Sequence, residues 1–125
     1  MIEVAHSPGF LKLVEDAKTR IKEVSIGELV EAKQKNESFF LVDTREESEW
    51  TASRIEGAIH LGKGVIERDI EASIPDPNAK VILYCGGGFR SALAADNLQK
   101  MGYTDVYSLA GGIREWKKEH PVVTD

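Results

Sequence analysis

Apolar positions along this chain change their period several times, and each change marks an element. Ser7-Pro8 offers an N-cap residue followed by proline at the first helical position. Phe10, Leu13, Val14, Ala17 and Ile21 then recur at helical spacing, which predicts an N-terminal amphipathic helix whose apolar face docks on the rest of the domain. Ser25 and Glu28 form a capping box flanked by Val24 and Leu29 as a hydrophobic staple, so a second helix should run to about Gln34. Phe39 to Asp43 is an apolar run of strand length with almost no alternation, the pattern of a strand buried on both faces.

The alternation continues to the C-terminus. Thr44 to Ser53 suits a short helix around Trp50, and Gly57 to Leu61 a short strand that Gly62-Lys63-Gly64 breaks. Val65, Ile66 and Ile70 are expected on one face of a helix from Val65 to Ala72. The turn Pro75-Asp76-Pro77-Asn78 then leads into a strand ending at Cys85. Ala94, Leu98 and Met101 form one stripe of a helix from Ser91 to Met101, with Gly102 as its stop. Asp105 to Leu109 reads as a strand. Gly111-Gly112 opens a last helix carrying Ile113 and Trp116, which Pro121 ends. Strands alternating with helices predict an α/β fold with a mostly parallel sheet flanked by helices.

Length and composition narrow this further. A chain of 125 residues fits one domain, 1–125, with residues 1–23 as a helical extension packed on a core of 24–121. The longest apolar runs, Phe39 to Val42 and Val81 to Cys85, are too short to span a membrane, and the N-terminus lacks the pattern of a signal peptide. A cytoplasmic protein is expected. With 16 Lys+Arg against 21 Asp+Glu the formal charge is −5, which disfavours nucleic acid and anionic lipid as partners. His6, His60 and His120 do not cluster at ligand spacing, so no metal is expected, and no cofactor is implied.

The candidate chemistry lies in Tyr84 to Ser91, YCGGGFRS, where the only cysteine falls between a strand and a helix. Gly86, Gly87 and Gly88 let successive backbone N–H groups turn toward one point, and the helix behind them adds its unpaired N-terminal donors. Such a nest favours a thiolate over a thiol. A lone cysteine is often a small buried hydrophobe, but that role does not require three consecutive glycines, whose entropy opposes folding. Arg90 stands at the start of a helix, where the dipole disfavours a cation, and this suggests an anion to bind. With no second cysteine, sulfur chemistry at Cys85 must end on another molecule.

From Val24 to Pro121 the chain resembles the single-domain rhodaneses, the thiosulfate sulfurtransferase-like family. The resemblance rests on Leu41 to Glu46 as a D-x-R segment, Ile55 to His60 as I-x-G-A-x-x, and Cys85 to Ser91 as the C-x-x-G-x-R-S loop. Leu109 to Gly112 with Trp116 complete it as the closing G-G and tryptophan. It implies a five-stranded sheet with the cysteine loop at its centre. It also implies that Cys85 takes the outer sulfur of thiosulfate, releases sulfite, and passes the sulfur from a persulfide to cyanide or a thiol. The binding residues would be Gly86, Gly87, Gly88, Phe89, Arg90 and Ser91, with Asp43 and Arg45 in support.

Other readings stand beside this one. Phe89 suits the pocket mouth or the body of the domain equally. The Asp43–Arg45 pair ties strand ends together or is a surface ion pair worth about 0–1 kcal/mol. Arg54 and Glu56 depart from the histidine and proline common in the family; Arg54 adds positive potential or lies on a solvated face. Trp50 and Trp116 are read as core aromatics, and Glu46, Glu47 and Glu49 as a solvated helix face. A non-turnover module that carries persulfide for, or docks to, a partner protein is the alternative function, with the N-terminal helix as its docking element. A cysteine-dependent phosphatase or arsenate reductase ranks third, because those enzymes resemble C-x5-R while Cys85 and Arg90 enclose four residues.

Overall fold

The computed structural model describes residues 6–124, and within them the apolar runs resolve into a layered α/β architecture. The elements in order are α1 (Pro8–Lys18), β1 (Lys22–Val24), α2 (Ile26–Gln34), β2 (Phe40–Asp43), α3 (Glu47–Ala52) and β3 (Ile59–His60). They are followed by α4 (Ile66–Ser73), β4 (Lys80–Tyr84), α5 (Phe89–Lys100), β5 (Asp105–Leu109) and α6 (Gly112–Trp116). The sheet order is β1-β5-β4-β2-β3, with every pairing parallel. β4 is therefore central, and its C-terminal end delivers Cys85.

Side chains that alternate along the strands serve two cores. Val42, Val81, Leu83 and Val106 face one side with Ile66, Ile70, Ile74, Ala94, Ala95 and Leu98, from α4, the residue after it, and α5. Leu41, Ile82, Tyr84 and Leu109 face the other with Leu29, Ile113 and Trp116 from α2 and α6. This is why β4 reads as a continuous apolar run: both of its faces are covered. Each fully buried Val, Leu or Ile contributes roughly 1.5–3 kcal/mol relative to exposure. Val81, Ile82 and Leu83 thus fix the strand that carries the cysteine.

Local signals explain the helix starts. Ser7 Oγ accepts from the Phe10 amide at 3.4 Å, and Ser25 with Glu28 forms the reciprocal capping box at 3.1 and 2.8 Å. Val24 and Leu29 meet in one core cluster, as a staple requires. Helix α1 lies against α5 with Val14 and Ala17 buried. Arg20 bonds Asp96 at 3.0 and 2.8 Å, and Gln99 donates to the Arg20 carbonyl at 3.0 Å.

Several expectations need correction. Lys22–Val24 forms an edge strand that the pattern does not announce, since two of its three residues are exposed and charged. Helix α1 stops at Lys18, and Ile21 reaches the core from the connection instead. Val65 precedes α4 as its N-cap and is exposed, so only Ile66 and Ile70 form its buried face. Helix α5 begins at Phe89, because Gly88 takes the left-handed conformation (φ 98°) that ends the loop. Trp50 is half-buried on α3, a helix with no buried residue, and stacks on His60 at 5.1 Å. No helix among the described residues is long and apolar enough to cross a membrane.

The clamp between α1 and α5 generates a pH prediction. The hydrogen bond from Arg20 holds the Asp96 carboxyl below its ordinary value of 3.8. A depressed folded value means stabilisation that is complete above the unfolded value and lost as pH falls through the folded one. Urea unfolding midpoints measured between about pH 5 and pH 2 should therefore fall less steeply for Asp96→Asn than for the parent chain. Equal slopes would exclude the clamp as a contributor.

Candidate active site

Three consecutive glycines after a buried strand make a loop that closes on its own cysteine. Cys85 is 1% exposed, and its Sγ accepts from the Gly88 amide at 3.1 Å. The Ser91 hydroxyl, from the first turn of α5, lies 3.5 Å from the same sulfur. Ser91 is held by Ser108 of β5, Oγ to Oγ at 2.8 Å, with both serines fully buried. Of the loop donors expected to converge on sulfur, Gly88 and Ser91 meet it.

The loop carbonyls are turned away and bound elsewhere. The Ile113 amide donates to the Cys85 carbonyl at 2.9 Å and the Arg114 amide to the Gly86 carbonyl at 3.0 Å. Helix α6 can approach this closely only because Gly112 has no side chain. A Cβ there would lie 2.4 Å from the Cys85 oxygen and 2.6 Å from the Gly86 oxygen, and its φ of +58° disfavours L side chains as well. The closing Gly111-Gly112 is thus a requirement of the cysteine loop 26 residues earlier, counting from Cys85 to Gly111.

Charge at the site is distributed differently from the sequence expectation. Arg90 has its anion inside the protein: Glu49 of α3 accepts from both of its terminal nitrogens, at 2.9 and 3.2 Å. That hydrogen bond holds the Glu49 carboxyl below the usual carboxylate range and raises the Arg90 guanidinium further. Glu49 is therefore a site-holding residue and not part of a solvated face. Nothing in sequence links residues 41 positions apart. Arg114, by contrast, is exposed, lies across Gly86 and Gly87, and has no ion-pair partner among the described residues. Its one signal in the sequence is its place two residues after the paired glycines.

A cavity of about 560 Å³ opens above the sulfur, lined by His6, Ser7, Phe10, Cys85, Gly87, Phe89, Arg90 and Arg114. Phe89 is part of that lining. His6 packs edge-on against that ring at 4.7 Å, Phe10 lies 6.2 Å away and Lys18 Nζ 5.4 Å from its centroid. The N-terminal helix and the residues just before it are therefore part of the site wall.

Asp43 and Arg45 sit outside this cavity and form no surface pair. Their side chains are 0% and 6% exposed, and Arg45 Nη2 bonds Asp43 Oδ2 at 2.7 Å while also donating to the Ser53 carbonyl. Burial works against the Arg45 charge, and the Asp43 carboxylate outweighs it, so the guanidinium titrates above its ordinary range. The pair fastens the end of β2 to the end of α3, which carries Glu49. Thr44 makes the direct link to β4, donating from Oγ1 to the Tyr84 carbonyl at 2.9 Å. Arg54 lies over the Trp50 ring, 5.0 Å from its centroid, and His60 donates to the Arg45 carbonyl at 2.7 Å. No group of three or more metal-ligating side chains occurs among the described residues.

The loop glycines should differ sharply in tolerance. Gly112→Ala drives a Cβ into two backbone oxygens at a positive φ and is expected to cost about 3 kcal/mol or more in urea unfolding. Gly87→Ala meets only the movable end of Arg114, at 2.9 Å, and should cost less than about 1 kcal/mol. Comparable losses at both positions would refute the close-approach argument.

The sequence of Ser25 to Glu119 matches the family described as the Rhodanese-like domain. A thiosulfate sulfurtransferase, GlpE, of Coxiella burnetii is 31% identical over 87 residues, 70% of this chain and 79% of that protein. A solved protein of unknown function from Rhodopseudomonas palustris, described as a possible tyrosine phosphatase, superposes with a TM-score of 0.81 at 26% identity. It covers 98% of this chain and 100% of its own. The polysulfide-sulfur transferase homodimer of Wolinella succinogenes superposes at 0.78 with 26% identity, over 94% and 88% of the two chains. With five parallel strands, a cysteine loop at the end of the central one, and a family match over residues 25–119, the chain belongs to the rhodanese-like domain family.

Proposed function

We propose that this protein is a sulfurtransferase that moves a sulfane sulfur from a small anionic donor such as thiosulfate to a thiophilic acceptor, with Cys85 as nucleophile and carrier. The observation that carries this reading is the sulfur itself: Sγ lies at the floor of an open cavity with the Gly88 amide at 3.1 Å and the Ser91 hydroxyl at 3.5 Å. Both donors favour negative charge on sulfur. Relatives named sulfurtransferases support the same chemistry.

The steps balance without a cofactor. The Cys85 thiolate attacks the outer sulfur of thiosulfate, a new S–S bond forms, and the bond to the sulfonyl sulfur breaks with its electron pair leaving on sulfite. Cys85 then carries a persulfide anion. A thiolate or cyanide attacks the terminal sulfur, the S–S bond breaks, and the electron pair returns to Sγ. The Gly88 amide and the Ser91 hydroxyl are already aimed at the sulfur, so these donors need no rearrangement to meet an anion at either stage. Four residues separate Cys85 from Arg90, a short loop that suits one sulfur and would cramp a tetrahedral phosphate.

Incubation with thiosulfate should add the mass of one sulfur atom to the intact chain, and cyanide should remove it with release of thiocyanate. Cys85→Ser should abolish both events. A free Cys85 thiol that gains no sulfur from thiosulfate or from an organic persulfide would overturn the proposal, and phosphate-ester turnover that depends on Cys85 would replace it.

A further inference from the structure

We propose that the cavity above Cys85 is an acceptor site for a small organic thiol with an apolar body and a carboxylate, and that the N-terminal segment supplies its specificity. The inference rests on the sulfurtransferase reading for the fate of the thiol, though the site itself is defined by other residues.

Size is the first argument. The cavity of about 560 Å³ lies within the ~300–1,000 Å³ typical of sites for small organic molecules, far more than thiosulfate or cyanide fills. The character of its walls is the second. Phe10, Phe89 and the ring of His6 pack into one aromatic cluster, with centroids between 4.7 and 6.2 Å apart, and the two phenylalanines give the wall an apolar area that an inorganic anion would not use. It fits the hydrocarbon body of a larger acceptor.

Charge on the cavity wall is unevenly held. Of the two arginines on the cavity wall, Arg90 is neutralised by Glu49, whereas Arg114 has no carboxylate partner among the described residues. A guanidinium is a forked donor suited to a carboxylate. Arg114 thus stands at one side of the cavity, the aromatic cluster at another and Sγ at the floor. A thiol that spans them presents its sulfur to the Cys85 persulfide. Its thiolate attacks the outer sulfur, the bond to Sγ breaks, and the molecule leaves as an organic persulfide while Cys85 recovers its electron pair.

His6, Ser7 and Phe10 lie ahead of Ser25, where the family match begins. Cys85, Phe89 and Arg114 therefore lie in the shared domain, while the rest of the aromatic wall comes from a segment outside that match.

Two measurements on the full chain test this. In the first, thiosulfate-loaded protein is discharged by 6-mercaptohexanoate and by 6-mercaptohexanol, thiols of matched body and reactivity. The carboxylate should react about tenfold faster at low concentration, Arg114→Gln should bring that ratio near one, and Phe10→Ala should slow both thiols relative to 2-mercaptoethanol. In the second, 4-phenylbutyrate should protect the unloaded Cys85 thiol from alkylation, while 4-phenylbutanol should protect it less. Loading with equal discharge by all thiols and no protection overturns this inference and leaves the sulfurtransferase reading in place. Protection without loading supports the site and overturns that reading.

Discussion

The site depends on two backbone hydrogen bonds that no side chain makes, from the amides of Ile113 and Arg114 to the carbonyls of Cys85 and Gly86. A loop that must aim N–H groups at a sulfur has to send its carbonyls the other way, and a buried carbonyl without a partner is costly. The first turn of α6 resolves this, because its amides have no partners within the helix. Gly112 sets the condition, since any Cβ there would meet the carbonyls it serves. The nest is therefore assembled from both sides of the central strand pair. The loop follows β4, its lid follows β5, and the β4–β5 register fixes their separation.

Electrostatics then builds outward from the loop in an order that burial dictates. Asp43 and Arg45 are sealed between β2 and α3, where removal of one partner from such a pair typically costs about 3–5 kcal/mol. Their role is mechanical: they hold the C-terminal end of α3, and α3 presents Glu49. Glu49 in turn holds Arg90, whose side chain is 32% exposed and would otherwise be free to move across the sulfur. Arg114 has no such anchor. The cations around the cysteine thus divide into one fixed in place and one available to a ligand.

How much of this was legible depends on sequence distance. The capping box at Ser25–Glu28, the staple, the apolar runs of β2 and β4 and the glycine loop are local, and each lies where its residues indicate. Strand β1 was hidden because an edge strand of three residues with two charges shows no periodicity, and only its pairing with β5 makes it a strand. The Glu49–Arg90 pair escaped for a related reason. A glutamate on a polar helix looks solvated until the fold brings another element beside it. Arg90 itself carried a local signal, a cation placed against a helix dipole, and the fold supplies one anion for it within the protein, Glu49. Trp50 misled in the opposite sense, since a large aromatic suggests a core and this one stacks on His60 at a half-buried surface.

The N-terminal helix shows how one element can be docked for stability and still serve the site. Val14 and Ala17 hold it on α5, and Arg20 fastens its far end to Asp96, so its orientation is set by contacts away from the cysteine. The helix then leads its own N-terminal end, with Phe10 and His6, back over Phe89 at the start of α5. Because α5 begins at the loop glycines, a helix packed along it necessarily arrives near Cys85. The cysteine loop is held by β4 and α6, and the wall around it can be changed by altering one surface helix without disturbing the strands that position Cys85. The two parts answer to different constraints: the aromatic cluster is set by how α1 packs along α5, and the loop by the backbone hydrogen bonds that α6 makes to its carbonyls.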